Sequence, residues 1–562
     1  MLTLSGTYDD LMKTTEIAEN IKAIIKGDVD TSDETREKYS HDASLFELKP
    51  QVVVAPKDSA DIQQLVRFVA KHKAAEPELS LTARSGGTCM SGGSISESIV
   101  VDINRHMDTI YEVSKTEGHL EPGVFYRNFD AETAKQSVLM PSYPASRELC
   151  TVGGMVNNNS GGEKSLEYGK TEKFVKKLNV VLSDGNEYTF EPLNRKQLEL
   201  KMAQDDFEGK LYRQIFELVD GHYDEIKAAQ PQVSKNSTGY NLWNVWDRET
   251  GIFDMTQLIV GSQGTLGLTT DITFKLVPRR AHSGVLVCYF KDISRLGEII
   301  NLILEQKPAT FESFDDHTLW LSIKFFPSFI KRLGFKRWVL LALQLFPDFL
   351  MLFRGIPKLI LMIEFNGDTP EEVKQKVHHM RQVLEPHYHM AMEEDETEYK
   401  SEKFWLMRRE SFNLLRSKVK DKHTAPFIDD LVIPPKHLPE AWPQLRAIIK
   451  KYDLLATIAG HMGDGNFHII PLMKIEDKKE RAKLRPAMKE VNELVLKYGG
   501  SLSGEHNDGM IRGPWLEQMY GPKTLAHFKK VKHIFDPHNI FNPHKKTDAD
   551  WDYSMKHIRE HF

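Results

Sequence analysis

The sequence predicts an α+β fold of more than one domain. Three observations carry that expectation. The chain has 562 residues, more than one hydrophobic core accommodates. Its composition is globular, with 40% hydrophobic and 27% charged residues. Short β-branched runs bounded by proline or glycine alternate with segments of helical periodicity.

Residues 1–47 read as an N-terminal helical segment, with Leu11, Ile17, Ile21, Ile24 and Ile25 at near-helical spacing. A first α+β domain, in two subdomains, is expected over 48–279. PQVVVAP (50–56) reads as its first strand, and DSADIQQLVRFVAKHK as a helix capped by Asp58 or Ser59. ELSLTARSGG is a strand entering a glycine turn, and SIVVDINRHMDTIYEV reads as a strand pair.

A second α+β domain is expected over 280–500, with a C-terminal segment over 501–562. GVLVCYF and LILMIEFNG are its strands; SRLGEIINLILEQ and TPEEVKQKVHHMRQVLEPHY are its helices. The segment 323–358 has seven basic residues and a single acid, Asp348, among Phe, Leu and Trp. Two readings stand for it: an amphipathic stretch lying on a membrane surface, or an insertion packed on the second domain.

The formal net charge of −6 implies no global attraction to nucleic acid. The three cysteines, Cys89, Cys150 and Cys288, form no C-x-x-C pair. This argues against a disulfide framework, a thiolate zinc site or an iron–sulfur cluster built by this chain alone. The N-terminal MLTLSGTYDDLMKTTEIAEN lacks a basic-then-apolar pattern. The expectation is a cytoplasmic protein, with peripheral attachment to the inner face of a membrane left open by 323–358.

Four blocks are rich in glycine: TARSGGTCMSGGS (82–94), a stretch centred on CTVGGMVNNNSGG (150–162), KNSTGYNL (235–242) and GSQGTLGLTTDITFKLVP (261–278). Each alone is a weak signal, since glycine-rich turns are common. Clustered glycines nevertheless let backbone amides approach an anionic pyrophosphate. Together the four blocks resemble the PCMH-type FAD-binding domain of the vanillyl-alcohol-oxidase flavoproteins. Within that superfamily the chain resembles FAD-linked D-2-hydroxy acid dehydrogenases over about residues 40–547.

The resemblance implies that FAD contacts Arg84, Ser85, Gly86, Gly87, Thr88 and Gly92 at its pyrophosphate, and Thr151, Gly153, Gly154, Asn159 and Gly161 along its length. Gly261, Gly264, Thr265 and Leu268 fall on the adenine and isoalloxazine side. Gln263 stands where the family commonly has Glu, which puts a charged contact there in doubt. Cys89 and Cys150 flank flavin loops, without a pattern that requires a covalent link.

GHMGDGNFH (460–468) places two histidines on either side of a Gly-Asp-Gly turn, between the strand-like LLATIAGH and NFHIIP. A hairpin brings His461 and His468 together, and Glu505 of SGEHNDG supplies a third ligand. Two imidazoles and a carboxylate suit a divalent ion, zinc- or manganese-like, with positions left open. The family resemblance implies the same His-His-Glu set and makes His506 the general base. Asp464 and Asn466 read as turn formers and supports, and Asp429 and Asp430 as structural residues or orienters of the base.

Carboxylate binding calls for arginine. Arg408 matches the family's Trp-x-x-Arg spacing from Trp405, and Arg409 is its neighbouring alternative. Ile428 stands where some D-2-hydroxyglutarate enzymes carry lysine, which weakens a dicarboxylate substrate. The expected reaction is FAD-dependent, metal-assisted oxidation of a small-molecule 2-hydroxy acid, D-lactate first, with D-2-hydroxyglutarate and glycolate as alternatives. Electrons would leave through a quinone, a cytochrome or an iron–sulfur carrier, or pass to oxygen in an oxidase. A flavoprotein subunit of a larger electron-transfer complex is the reading from another class.

Overall fold

The computed structural model describes residues 12–292, 295–315, 357–388, 390–395 and 422–560. The segment at 323–358, apart from Pro357 and Lys358, lies outside these residues, as do Arg408 and Arg409.

The chain begins with helix α1 (Thr14–Lys22), which buries Ile17 and Ile21. Strand β1 (Asp28–Asp30), helix α2 (Asp33–Tyr39), strand β2 (Val52–Ala55), helix α3 (Ser59–His72), strand β3 (Leu81–Arg84) and strand β4 (Ile99–Asp102) follow. Their sheet has the order β1-β2-β4-β3, with β4 parallel to both its neighbours. VVVA and IVVD are buried along their whole length, as expected of central parallel strands covered on both faces. Helix α3 starts where the Asp58 carboxylate accepts from the Asp61 amide at 3.0 Å. Its Ile62, Leu65, Val66 and Val69 form the buried stripe.

A second sheet is built from β5 (Ile110–Val113), β6 (Glu117–Leu120), β7 (Val175–Val181), β8 (Glu187–Phe190) and β9 (Leu268–Lys275). It is antiparallel in the order β5-β6-β9-β7-β8. The short helix α4 (Val152–Asn158) comes between β6 and β7 in the chain. SIVVDINRHMDTIYEV does not form a strand pair. Its halves are β4 and β5, which lie in different sheets. The buried run IVVD belongs in the covered parallel sheet, whereas IYEV, with two exposed residues, suits a sheet edge.

The third sheet takes β10 (His282–Phe290), β11 (Thr310–Asp315), β12 (Leu359–Gly367), β13 (Ala391–Asp395), β14 (His423–Thr424), β15 (Leu431–Val432), β16 (Leu455–His461) and β17 (Asn466–Met473). Among the described residues its order is β13-β10-β12-β11-β16-β17-β14, with β15 also paired to β17. Helix α5 (Leu296–Glu305) and helix α6 (Pro370–Leu384) share its core, where Leu286, Cys288, Ile300, Leu361 and Val377 pack together. Helix α6 opens on Thr369, whose hydroxyl accepts from the Glu372 amide at 3.2 Å, with proline at its first position. Helices α7 (Leu438–Lys451) and α8 (Leu484–Lys497) pack on each other, and α9 (Leu516–Phe535) bends at Gly521. No helix among the described residues is long and apolar enough to cross a membrane.

Candidate active site

The hairpin of β16 and β17 is antiparallel, with His461 opposite Asn466 and Ala459 opposite His468. Its turn closes through a short 3-10 segment, Met462–Asp464, and Gly465. Gly465 has φ +64, and a Cβ there would lie 1.8 Å from the Ile433 carbonyl oxygen, so glycine is required.

Three imidazoles meet one carboxylate oxygen. Glu505 Oε1 lies 3.4 Å from His461 Nε2, 3.2 Å from His468 Nε2 and 3.9 Å from His506 Nε2. The opposite ring nitrogens are held by acids. His461 Nδ1 meets Glu312 of β11, a neighbour of β16. Asp429 takes His468 Nδ1 at 3.2 Å on one oxygen and His506 Nδ1 at 2.6 Å on the other. A carboxylate behind each imidazole fixes the tautomer that leaves Nε2 free as a ligand or base.

Four groups place ligand atoms within 4.8 Å of one another: Asp430, His468, Glu505 and His506. This set differs from His461, His468 and Glu505. Asp430 is better read as a brace. Its carboxylate accepts from the amides of Glu505 (3.0 Å) and His506 (2.7 Å), from Ser503 Oγ (2.5 Å) and from Asn466 Nδ2 (3.0 Å). Those bonds occupy the lone pairs a metal would need. His461 is not in this set; its Nε2 stands 3.4 Å from Glu505 Oε1, with Nδ1 held by Glu312.

The charges around this cluster are unbalanced. Glu312, Asp429, Asp430, Asp464 and Glu505 are all buried, against buried Lys170, Lys235 and Arg512. Lys235 Nζ stands 3.4 Å from both Asp464 Oδ2 and Glu505 Oε2. Lys170 Nζ donates to the Gly504 carbonyl at 2.6 Å. Arg512 donates to the Asp429 carbonyl at 2.7 Å. Buried charge without compensation is costly, so the surplus of carboxylates calls for added positive charge. The titration of the side chains expresses the same demand. Burial opposes a charge on His468, but its hydrogen bonds to Asp429 and Glu505 prevail and push its pKa up to about 10. Burial likewise opposes the Glu505 charge, yet Lys235 and His461 hold its carboxyl well below the usual range. The donor set therefore fits a divalent cation, which would replace protons on the imidazoles.

A cleft of about 810 Å³ runs from the glycine loops to this cluster. Arg84, Ser85, Gly86, Gly87 and Thr88 line it, as do Thr151, Gly153, Gly154, Gly264 and Leu268. His461, His468, Glu505 and His506 line the same cleft. Ser85 and Thr151 join the first two glycine loops through a hydroxyl hydrogen bond.

Five residues expected along the flavin do not line the cleft: Gly92, Asn159, Gly161, Gly261 and Thr265. Gly92 turns against Phe46, and Thr265 donates to the Ser262 carbonyl. Asn159 takes a left-handed conformation that ends α4, and its side chain accepts from the Glu172 amide. A Cβ on Gly161 would lie 3.2 Å from Glu505 Oε2. The Gly261 carbonyl accepts from Asn507 Nδ2 at 2.9 Å. Gln263 makes neutral contacts, with Ser91 Oγ, Asn158 Oδ1 and the Gly509 amide. Cys89, Cys150 and Cys288 are all free.

Glu312, Lys170 and Lys235 escaped sequence reasoning. A faint signal existed for Glu312, an acid between two phenylalanines in the strand TFESFD. Lys235 begins the block KNSTGYNL, and its role appears only through distant partners.

Comparison with known proteins agrees with this geometry. A family model described as "FAD binding domain" matches residues 50–191, and one described as "FAD linked oxidases, C-terminal domain" matches 279–546. The D-2-hydroxyglutarate dehydrogenase of Pseudomonas putida is 27% identical over 92% of this chain. The chain spans 50% of that relative's length. The glycolate oxidase subunit GlcD of Bacillus subtilis is 26% identical, covering 93% of this chain and 94% of its own. The D-lactate dehydrogenase of Archaeoglobus fulgidus is 24% identical over 88% and 90%. Among solved structures, p-cresol methylhydroxylase superposes with a TM-score of 0.67 at 15% identity, covering 98% of this chain and 99% of its own, and shows the same fold. The glycine-lined cleft thus belongs to an FAD-binding domain, and the chain belongs to the FAD-linked flavoproteins that join a PCMH-type FAD-binding domain to the FAD-linked oxidase C-terminal domain.

Proposed function

We propose that the chain is a metal-assisted dehydrogenase of D-2-hydroxy acids. One observation carries the reading: the glycine loops and His461, His468, Glu505 and His506 line one and the same cleft. His461, His468 and Glu505 would hold a divalent metal, because their free donor atoms converge while Glu312 and Asp429 secure the two imidazoles from behind. When bound, the metal supplies positive charge that acidifies the substrate hydroxyl, and FAD supplies the hydride acceptor.

The chain's own residues do the rest. His506 Nε2 is free to take the hydroxyl proton, since Nδ1 is committed to Asp429. The charge that forms on the imidazole is then neutralised by a carboxylate 2.6 Å away. Asp430 fixes the backbone at Glu505 and His506 together, so ligand and base keep their separation. The names of the relatives favour D-2-hydroxyglutarate, D-lactate or glycolate as substrate. Arg408 or Arg409 is assigned the substrate carboxylate. Electrons leave to a quinone, a cytochrome or an iron–sulfur carrier.

Anaerobic bleaching of the flavin tests the reading. D-hydroxy acids should bleach it and their L-enantiomers should not. Chelation should abolish bleaching, and zinc or manganese should restore it. Bleaching that is indifferent to chelator would overturn the metal's part, and a preference for L-acids would overturn the substrate class.

A further inference from the structure

A second cluster of metal-binding side chains lies outside the cleft. It brings together His222, Glu225 and His527. His222 follows the helix Phe207–Gly221 and caps the short helix Tyr223–Ala228, which carries Glu225. His527 comes from α9, in the chain's last segment. The chosen donor atoms of the three all lie within 4.8 Å of one another.

One oxygen of the carboxylate faces each imidazole. Glu225 Oε2 lies 3.8 Å from His222 Nδ1, and Glu225 Oε1 lies 3.7 Å from His527 Nε2. These separations are too long for hydrogen bonds. They are near the donor–donor spacing of about 3.3–3.6 Å set by tetrahedral metal bonds of 2.0–2.2 Å. Glu225 Oε1 and His527 Nε2 are also buried atoms without a hydrogen-bond partner. Two such atoms facing each other invite a ligand that satisfies both. The imidazole ring centroids lie 4.5 Å apart, with the rings tilted by 44°. His222 and Glu225 have the i,i+3 spacing that lets one helical turn offer two ligands.

We propose that His222, Glu225 and His527 form a structural site for a zinc-like divalent cation, which staples α9 to the helices of the FAD-binding lobe. Two imidazoles and a carboxylate match the donor preference of such an ion. The partial exposure of His222 gives the ion a path from solvent. The site plays no part in the cleft chemistry, and it stands whether or not that chemistry is as described.

Full-length, FAD-loaded protein, stripped with chelator, is titrated with zinc sulfate, and bound zinc per chain is counted after dialysis. Wild type should hold one equivalent more than His527→Gln or the more exposed His222→Gln, whatever the cleft binds, and both variants should keep wild-type turnover. A His461→Gln/His468→Gln double variant should keep the equivalent that His527→Gln loses. Zinc should raise the Tm of the double variant, and the rise should vanish when His527→Gln is added. Equal zinc content in wild type and both single variants would overturn the proposal. So would a second equivalent lost only from the cleft variant.

Discussion

Asp429→Asn separates geometry from charge at the centre of the site. The carboxylate is fully buried and serves two histidines, His506 at 2.6 Å and His468 at 3.2 Å. An amide of the same shape offers one acceptor oxygen, and its NH2 faces a nitrogen that must donate. At least one imidazole loses its orientation. A charge-assisted hydrogen bond is worth about 1.5–3 kcal/mol. At 1.4 kcal/mol per tenfold, the loss at His506 lowers kcat roughly 10–100-fold. The loss at His468 weakens metal affinity about 10–100-fold, the usual effect of removing a partner behind a ligand. Stopped-flow flavin reduction at saturating metal isolates the first effect, and metal titration gives the second. FAD content should not change, because Asp429 does not line the cleft. A variant whose kcat stays within about twofold of wild type, with metal and FAD at full occupancy, would refute the assignment of Asp429 to the base.

Three further expectations rest on separate features. A Cβ at Gly86 would lie 2.2 Å from the Leu149 carbonyl oxygen, so Gly86→Ala should push the glycine loops apart and lower bound flavin, read from its absorbance per chain. Lys235→Met leaves Glu505 and Asp464 without their cation, and breaking a buried ion pair costs about 3–5 kcal/mol; a melting temperature equal to wild type would contradict it. The Glu97 hydrogen bond raises the His557 pKa, against burial. Stability from that contact is therefore full below the free-histidine value of about 6.5 and lost as pH rises through the raised one. Tm curves of wild type and His557→Gln should differ at pH 5.5 and converge in alkali.

The parts legible in the sequence were those written locally. The hairpin of β16 and β17 could be read because its turn and both strands fall within nineteen residues, 455–473. The helix α3 could be read because its cap and apolar stripe are contiguous. What stayed hidden depends on register between distant segments. Glu312 reaches His461 across 149 positions of sequence, and Lys235 reaches Glu505 across 270. Nothing local fixes the pairing of β11 with β16 that makes the first contact. The glycines divided on similar grounds. Sequence marks where backbone must be tight, but not whether the tight turn faces the cleft, as Gly86 does, or stands behind it, as Gly261 does.

The placement of Glu505 follows from both halves of the chain at once. From the FAD-binding side, Asn158 Nδ2 donates to the Glu505 carbonyl at 2.9 Å, and Lys170 grips the Gly504 carbonyl. From the other side, Asp430 takes the amides of Glu505 and His506. Asn507 spans back to Gly261 and Lys546. Among the non-glycine residues with positive φ at this seam are Gln263 at 53°, Asp430 at 67° and Asn507 at 66°. Such conformations cost on the order of 1–3 kcal/mol each when nothing holds them. Here each is held by buried side-chain hydrogen bonds. Glycine would remove the strain at 430 and also remove the carboxylate that sets two backbone amides. The strain is thus the cost of holding the Glu505 and His506 amides on one carboxylate, which fixes the separation of the two side chains proposed as ligand and base. Neither half alone contains enough partners to hold Glu505 where the three imidazoles converge.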